Sequence, residues 1–286
     1  MSNITYNELL IKYYSLATQN DISEQTVKLF LNDLCNDLGI DLFIEIDNNV
    51  NDRLLELFED GIYRIFKGVP MDYVLGYTYF MGYKFIVNND VLIPRCETEE
   101  LVAEVLQVID DKFIDYKSIN LFDVCTGSGN IAISLKLEED KLNVYASDIS
   151  DKAIFVANNN ANTLKSNVKF YVGDMLQPLI DTNIKADIVV CNPPYIPKQE
   201  ILESSVVDYE PNIALFGGDT GLYFYDKLLK DIHKVINDRC FIAFEMGWDQ
   251  GNNLKNLVKS YLPDSQIIIK KDINNKERMM LIYVNI

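Results

Sequence analysis

The chain has little histidine, scattered cysteine and no long hydrophobic run, and each shortage excludes a class of protein or site. His233 is the single histidine in 286 residues, which excludes histidine-based triads and multi-histidine metal sites. The five cysteines lie far apart without a CxxC spacing, so we expect reduced thiols rather than a disulfide framework or a zinc site. There is no run of about 18 apolar residues and no signal-like amino terminus, so we expect a cytoplasmic protein without membrane contact.

Basic residues are also few. The chain has 26 basic against 43 acidic residues, which gives a formal net charge of −17 at pH 7. An acidic surface repels a phosphate backbone, so we expect no direct nucleic-acid partner. The same charge can steer a basic protein toward the chain, or it can serve solubility alone. Charge therefore leaves a protein partner open.

The hydrophobic pattern changes along the chain and predicts three parts. From Asn7 to about Lys67 apolar residues recur at helical spacing, which predicts a small helical bundle. Residues 74–92 alternate and are punctuated by glycine, which predicts a β-hairpin. We therefore predict a helical domain at 1–73, a hairpin linker at 74–94 and a larger domain at 95–286. Helix caps or stops are expected at Asp21, Ser23, Gly39 and Asn51 or Asp52.

Beyond residue 95 strands and helices alternate, which predicts a mainly parallel sheet with crossover helices. The last two strands are close enough in sequence to pair as an antiparallel hairpin, so the sheet has seven strands with one reversed. This number separates the fold from a nicotinamide-binding domain. Helices are predicted at about Glu97 to Ile109 and at Tyr223 to Ile236. The predicted strands are Asn120 to Val124, Asn143 to Ser147, Val168 to Val172, Asp187 to Cys191, Cys240 to Glu245, Gln266 to Lys270 and Met279 to Val284.

The tetrapeptide Asn192-Pro193-Pro194-Tyr195 follows an apolar run and stands where a buried strand ends. Ligands of open α/β sheets bind outside the carboxyl ends of strands. The two prolines hold the backbone extended and remove two N–H donors. The Asn192 side-chain oxygen and the Pro193 carbonyl can accept both hydrogens of a planar NH2 group, and the Tyr195 ring can stack on it. The motif predicts an amide or aromatic amine as the target.

A glycine turn, residues 125–129, joins the first predicted strand of the sheet to a helix. Gly127 and Gly129 permit positive φ and close approach of a ligand to the backbone. Asp148 ends the next strand, 19 residues after Gly129, where an acidic side chain can bind both ribose hydroxyls. Ala132 stands where a dinucleotide fingerprint has its third glycine or an alanine, so the turn alone does not distinguish NAD from S-adenosylmethionine.

Further aspartates favour S-adenosylmethionine. Asp174 can accept a hydrogen bond from the adenine amino group while Met175 packs on the ring, and Asp123 can bind the methionine ammonium directly or through water. An adenosine without pyrophosphate leaves space for a sulfonium and its methyl group. The predicted cofactor-binding residues are Asp123, Cys125, Thr126, Gly127, Ser128, Gly129, Asp148, Ile149, Asp174, Met175 and Asn192.

Together these motifs resemble the PrmC/HemK glutamine methyltransferases over nearly the whole chain. The likeness includes residues 70–76, the segment 91–99 around Arg95, Asn192 to Tyr195, Glu210-Pro211 and Glu245-Met246-Gly247. It implies an α/β fold, a seven-stranded Rossmann-like class I methyltransferase domain that uses S-adenosylmethionine and is preceded by a small helical bundle and a β-hairpin linker.

The resemblance also implies the reaction and the partner. The family methylates the side-chain amide nitrogen of the glutamine in a Gly-Gly-Gln loop of peptide chain release factors, with the helical domain gripping the substrate. We expect a monomer. The resemblance implies Asn192, Pro193, Pro194 and Tyr195 as catalytic residues, and the same four with Arg95 and Glu210 as substrate-binding residues.

Three positions depart from the family pattern. Cys125 stands in place of the first glycine of the turn, where a side chain requires either φ below zero or strain. Cys96 replaces a proline after Arg95, and the carboxyl-terminal segment keeps Arg278 without the usual glycine. We expect these changes to alter affinity rather than the type of reaction.

Three other functions remain open at this point. A glutamine of a ribosomal protein is a closely similar target. The tetrapeptide is shared with adenine-amino methyltransferases of DNA, which keeps a nucleic-acid amino group open, although the acidic charge and the lack of a basic recognition domain weigh against it. A cofactor-binding adaptor that docks a translation factor without catalysis is the non-enzyme alternative.

Overall fold

The computed structural model describes residues 4–286, which form two compact units. The first unit extends to Gly76 and includes Ser204–Tyr209, and the second contains Tyr77–Glu203 and Glu210–Ile286. Within residues 4–286, no helix has the length and apolar character needed to cross a bilayer. The α-helices are α1 Tyr6–Gln19, α2 Glu24–Asp37, α3 Asp52–Phe66, α4 Met71–Leu75, α5 Cys96–Lys112, α6 Asn130–Glu138, α7 Asp151–Leu164, α8 Gln177–Ile180, α9 Ser204–Tyr209, α10 Tyr223–Asp231 and α11 Gly251–Tyr261. The strands are β1 Tyr77–Phe80, β2 Tyr83–Ile86, β3 Ile119–Val124, β4 Leu142–Asp148, β5 Val168–Val172, β6 Ala186–Cys191, β7 Ile236–Glu245, β8 Gln266–Lys271 and β9 Glu277–Val284.

The first unit is a small helical bundle with an aromatic core, as the helical spacing predicts. Tyr13 of α1 meets Phe58 of α3 edge to face at 5.0 Å, and Phe30 of α2 stacks on Phe58 at 5.7 Å. These rings are buried, so they contribute to packing rather than binding.

The expected helix boundaries of the first unit are confirmed at three positions and wrong at one. Ser23 and Asn51 cap α2 and α3, since each side chain accepts a hydrogen bond from a first-turn N–H. Gly39 follows the end of α2 with φ of 70°, as a stop requires. Asp21 is not a cap. It adopts φ of 56° in the turn after α1, where its N–H donates to the Thr18 carbonyl.

The predicted β-hairpin is present, but it begins three residues later than expected. Strands β1 and β2 pair antiparallel from Tyr77 opposite Ile86 to Phe80 opposite Tyr83. The turn residues Met81 and Gly82 both have positive φ, 51° and 78°, which suits a tight hairpin turn. Residues 74 and 75 instead close the short helix α4, because the left-handed Gly76 ends that helix.

The second unit contains the predicted seven-stranded sheet in the order β5-β4-β3-β6-β7-β9-β8. Strand β9 is antiparallel to both neighbours and the other strand pairs are parallel, so one strand is reversed as predicted. The predicted helix from Tyr223 is wrong at its end, because α10 stops at Asp231 and Ile236 already begins β7. Residues 237–239 of β7 are polar, so hydrophobicity does not mark this end of the strand. Ile236 pairs with Ala186 of β6, and the Asn237 side chain donates to Asp187 of β6 at 2.7 Å.

The strand order determines where a site can form. Strand β3 lies between β4 and β6, so Val124 is registered against both Ser147 and Cys191 at the carboxyl ends of the three strands. The direction in which the chain adds strands reverses between β3 and β6, which is the topological switch point of the sheet. The predicted cofactor turn and the predicted acceptor tetrapeptide both leave the sheet at this point.

Candidate active site

A pocket opens at the switch point and lies entirely within the second unit. Both predicted halves of the site contribute to its wall. The predicted residues that line it are Arg95, Cys125, Thr126, Gly127, Ser128, Asp148, Ile149, Asp174, Met175, Asn192 and Pro194. Five predicted residues are outside the lining, namely Asp123, Gly129, Pro193, Tyr195 and Glu210.

The two glycines of the turn have different tasks. Gly127 has φ of 54°, and a Cβ placed there would meet open space, so its missing side chain leaves room in the pocket. Gly129 has φ of 81°, and a Cβ there would lie 2.9 Å from Ile133 Cδ1 and 3.1 Å from Ala157 Cβ. Gly127 therefore shapes the ligand surface, whereas Gly129 allows α6 and α7 to pack closely.

Two backbone N–H groups fix the orientation of the Asp148 carboxylate at the end of β4. Its Oδ2 accepts from the Gly127 N–H at 2.9 Å, and its Oδ1 accepts from the Ser150 N–H at 2.9 Å. Burial raises its pKa, and these two N–H groups oppose the increase. Each carboxylate oxygen has a further lone pair, so the geometry is compatible with a ribose diol, and the exposed Ile149 lies beside it in the wall.

Asp174 lines the pocket but already has a partner that the sequence did not reveal. Its Oδ2 forms an ion pair with the Lys227 ammonium from α10. This contact raises the pKa of Lys227. Lys227 fixes the orientation of the carboxylate and leaves its other oxygen free to face an amino group.

Cys125 and Met175 meet in the pocket in strained backbone conformations. Cys125 has φ of 64° and Met175 has φ of 50°, in a region that costs a residue with a side chain on the order of 1–2 kcal/mol. Of the two alternatives expected for Cys125, the strained one is therefore found. The sulfur atoms of Cys125 and Met175 lie 3.7 Å apart, and the Ser147 hydroxyl donates to the Met175 carbonyl at 3.0 Å. Strain of this kind is typical of functional sites.

Asp123 lies beneath the turn and does not reach the pocket surface. It is fully buried, and the Thr126 hydroxyl donates to its Oδ2 at 2.6 Å. Burial raises the pKa of Asp123 to about 7, against the opposing effect of that hydroxyl. The Ala132 N–H also acts on this carboxylate and opposes the increase. Within residues 4–286, Asp123 Oδ1 has no well-formed hydrogen bond. A buried acceptor of this kind is compatible with the predicted interaction with an ammonium group through water.

The acceptor tetrapeptide is divided between the pocket wall and the layer behind it. Asn192 and Pro194 line the pocket, whereas Pro193 is buried outside the lining. The Tyr195 hydroxyl donates to Glu245 Oε1 at 3.3 Å, and burial raises the pKa of Tyr195. The structure therefore anchors Tyr195 by its hydroxyl, and the stacking role of its ring stays a prediction.

A glycine-rich segment behind the tetrapeptide fixes its course. A Cβ at Gly217 would lie 2.5 Å from the Pro194 carbonyl oxygen, and one at Gly221 would lie 2.2 Å from the Tyr195 carbonyl oxygen. The Gln250 amide donates to that same Tyr195 oxygen at 2.8 Å. These glycines are needed because the two backbones touch, a role that their spacing in the sequence did not indicate.

The predicted substrate residues Arg95 and Glu210 form an ion pair, but only Arg95 lines the pocket. Glu210 is buried, and its second oxygen accepts from the Ile93 N–H at 3.3 Å. Glu210 therefore supports Arg95 from behind. Further lining residues could not be recognised from the sequence. They belong to the segment before α5, to α5–α7, to the carboxyl end of β4 and to the region after Glu210. They are Asp90, Val91, Leu92, Pro94, Thr98, Asn130, Ile131, Ser147, Ser150, Ala153, Pro211, Ile213, Ala214 and Phe224.

The chain is similar in sequence to a methyltransferase domain family and to two relatives that carry the same name. A family model described as the methyltransferase small domain matches residues 100–208. The release factor glutamine methyltransferase of Bacillus subtilis is 43% identical over 229 residues, covering 77% of this chain and 80% of that protein. The Staphylococcus aureus protein of the same name is 33% identical over 279 residues, covering 97% and 98%.

A solved structure supports the fold. A methyltransferase from Pyrococcus furiosus superposes with a TM-score of 0.52 at 15% identity, covering 79% of this chain and 98% of that one. This likeness concerns the architecture alone. The similarity to the Staphylococcus aureus protein covers 97% of this chain, and on that basis the chain belongs to the release factor glutamine methyltransferase family.

Proposed function

We propose that this protein transfers the methyl group of S-adenosylmethionine to the side-chain amide nitrogen of a glutamine in a peptide chain release factor. The observation that carries the proposal is that Asn192 and Pro194 share one pocket with Gly127, Asp148 and Asp174. Acceptors suited to a planar NH2 group therefore lie beside acceptors suited to a nucleoside. The two relatives described above carry the corresponding name.

The residues of the cofactor half fit S-adenosylmethionine, which supplies an electrophilic methyl group on a sulfonium when bound. Asp148 has acceptor positions for the ribose hydroxyls, and Asp174 has one for the adenine amino group. The open space at Gly127 allows close approach to the backbone of the turn. We assign Ile149 and Met175 to the adenine faces.

The residues of the acceptor half act by positioning rather than by strong base catalysis. A glutamine nitrogen is a poor nucleophile because its lone pair is delocalised into the carbonyl. Asp148 is committed to backbone N–H groups and Asp174 to Lys227, so neither is placed as a free base at Asn192. Aligned near-attack geometry can contribute roughly 7–11 kcal/mol.

The reaction balances without another reagent. The Asn192 side-chain oxygen and the Pro193 carbonyl accept the two amide hydrogens and favour charge on the nitrogen as it attacks. The sulfur–carbon bond of the methyl group breaks as the nitrogen–carbon bond forms, the electron pair stays on sulfur, and the amide then loses one proton to water.

We assign the target glutamine to a Gly-Gly-Gln loop and the grip on the release factor to the helical first unit. Both assignments come from the family resemblance. The net charge of −17 favours a basic protein surface over a phosphate backbone as the contact.

Methylation assays on purified substrates test the proposal. Release factors and ribosomal proteins are incubated with the enzyme and methyl-labelled S-adenosylmethionine, and the modified residue is located by peptide mass spectrometry. The expected result is one added methyl group on a release-factor glutamine. A mark on a ribosomal protein alone, or on nucleic acid in a parallel reaction, would replace the proposed substrate.

A further inference from the structure

Asn192 is hydrogen-bonded to Thr98 in the pocket wall, and Thr98 is in turn hydrogen-bonded to the buried Glu245 carboxylate. The Asn192 side-chain NH2 group donates to Thr98 Oγ1 at 3.4 Å, and the Thr98 hydroxyl donates to Glu245 Oε2 at 2.6 Å. Thr98 and Glu245 are each 2% exposed. The first contact is long, as hydrogen bonds in a substrate-free catalytic site often are.

The order of donors and acceptors in this chain fixes the orientation of the asparagine amide. Burial raises the pKa of Glu245, and the hydrogen bond from Thr98 and the charge of Arg278 oppose that rise. Ionised Glu245 can only accept, so Thr98 directs its single hydroxyl proton toward it. Thr98 then has only lone pairs to offer Asn192, which must turn its NH2 group toward Thr98. The planar amide consequently points its Oδ1 away from Thr98, on the side available to a substrate NH2 group.

The same carboxylate holds both ends of the tetrapeptide. Glu245 Oε2 reaches Asn192 through Thr98, while Oε1 accepts from the Tyr195 hydroxyl at 3.3 Å. The Arg278 guanidinium donates to the Tyr195 oxygen at 3.5 Å and places a positive charge beside this network. Arg278 is in turn paired with Asp272 at 3.1 Å.

We propose that Thr98 and Glu245 are positioning residues of the methyl transfer, which hold the Asn192 amide with its oxygen facing the substrate. This inference rests on the proposed function. A flipped asparagine would present NH2 to the NH2 of glutamine, so two donors would face each other. The Thr98–Glu245 pair excludes that orientation.

Substitutions at Thr98 test the inference by separating shape from hydrogen bonding. Thr98→Val keeps the volume and removes the acceptor, and we expect kcat to fall about 10- to 100-fold. Affinity for S-adenosylmethionine should stay close to wild type, whereas the thermal midpoint should fall by a few degrees, because the buried Glu245 carboxylate loses a donor. Thr98→Ser keeps the hydroxyl and should restore kcat to within a few fold of wild type. Equal kcat for Thr98→Val and wild type, or equal losses for the valine and serine variants, would overturn the proposal.

Glu245→Gln tests the charge at the end of the chain. A glutamine can donate to Thr98, which frees the Thr98 proton for the Asn192 oxygen and permits the flipped amide. We expect kcat to fall as far as it does in Thr98→Val while cofactor affinity is retained, and an unchanged kcat would remove Glu245 from the proposal.

A measurement that needs no substrate separates this inference from the proposed function. Neutron diffraction from crystals of the perdeuterated wild-type protein locates the deuterons directly. We expect the two deuterons of Asn192 to lie on the amide nitrogen Nδ2, which faces Thr98, and the Thr98 deuteron to point toward Glu245. The reversed order would overturn the inference even if release factors are methylated. If wild-type enzyme methylates no release factor while the expected order is seen, the substrate assignment fails and the positioning chain stands.

Discussion

The two halves of the pocket are built by different means. The cofactor half depends on backbone conformation, with positive φ at Cys125, Gly127 and Met175. The acceptor half instead follows an extended proline-containing segment whose carbonyls and side chains are held from behind, for example by Gln250 on the Tyr195 carbonyl. Substitutions in the cofactor half should therefore act mainly through residues that must adopt left-handed backbone. Substitutions in the acceptor half should act mainly through lost hydrogen-bond donors and acceptors.

The largest expected effect concerns the buried acid of the cofactor half. The pKa of Asp123 is about 7 in the folded protein and near 3.8 in the unfolded chain. Between pH 3.8 and pH 7 the folded state therefore binds more protons than the unfolded state, so the free energy of unfolding decreases as the pH rises through this range. The full difference is on the order of 4 kcal/mol.

Urea unfolding of wild type and Asp123→Asn at several pH values measures this effect. The variant cannot titrate, so its stability relative to wild type should increase from about pH 4 to pH 7 and level off above. A difference that stays constant with pH would mean that Asp123 ionises normally in the fold.

Asn192→Ala should break the acceptor half and leave most of the cofactor half intact. Losing a preorganised partner of the reacting group typically costs about 100- to 1000-fold in kcat. Asn192 is also one of the predicted cofactor-binding residues, so binding of S-adenosylmethionine, measured by calorimetry, should weaken, but by less than about threefold. Asn158→Ala, on the exposed surface of α7, is the matched control and should leave both quantities unchanged. Wild-type turnover of Asn192→Ala on a release factor would contradict the role given to this side chain.

Gly129→Ala should damage the fold through the cofactor half. The left-handed φ and the overlap with Ile133 and Ala157 together should cost about 3 kcal/mol of unfolding free energy. Gly39→Ala in the first unit has φ of 70° and open space, so it carries the backbone cost alone. Chemical denaturation should therefore give Gly129→Ala a much lower free energy of unfolding than Gly39→Ala. Equal losses of unfolding free energy in the two variants would show that α6 and α7 move apart to accommodate the methyl group.

Gly127→Ala sharpens the same comparison for binding. Its backbone cost should match that of Gly39→Ala, but its new methyl group projects into the pocket space. We expect the dissociation constant for S-adenosylmethionine to rise about tenfold, which corresponds to about 1.4 kcal/mol. Gly39→Ala should bind the cofactor as tightly as wild type does. Wild-type affinity in Gly127→Ala would mean that the turn does not contact the cofactor.

The smallest effect is expected at Cys125→Gly. Glycine removes the strain of the left-handed backbone but increases the conformational entropy of the unfolded chain. The free energy of unfolding should therefore increase by only about 0.5 kcal/mol. Lys165→Gly is the matched control, since Lys165 has φ of 56° on an exposed helix end. Both variants should melt slightly higher than wild type. A loss confined to Cys125→Gly would mean that the contact with Met175 outweighs the strain.

Strands and motifs near each other in sequence were predictable, and contacts between distant segments were not. Six of the seven sheet strands follow apolar runs whose bounds lie within two residues of the predicted ones. Strand β7 begins earlier than predicted, because its polar residues 237–239 hide an end that is held by the pairing of Ile236 with Ala186 and by the Asn237 contact with Asp187. Thr98 was missed because its importance depends on Glu245, which lies 147 residues away in sequence. Lys227 was missed for the same reason, since Asp174 is 53 residues distant.

The central claim is that a glutamine amide and S-adenosylmethionine meet in one pocket at the carboxyl ends of β3 and β6. A crystal structure with S-adenosylhomocysteine and a glutamine-bearing release factor tests it most directly. We predict the glutamine nitrogen within hydrogen-bonding distance of Asn192 Oδ1, with the sulfur facing that nitrogen. A glutamine bound elsewhere, or a nucleoside away from Gly127 and Asp148, would contradict it.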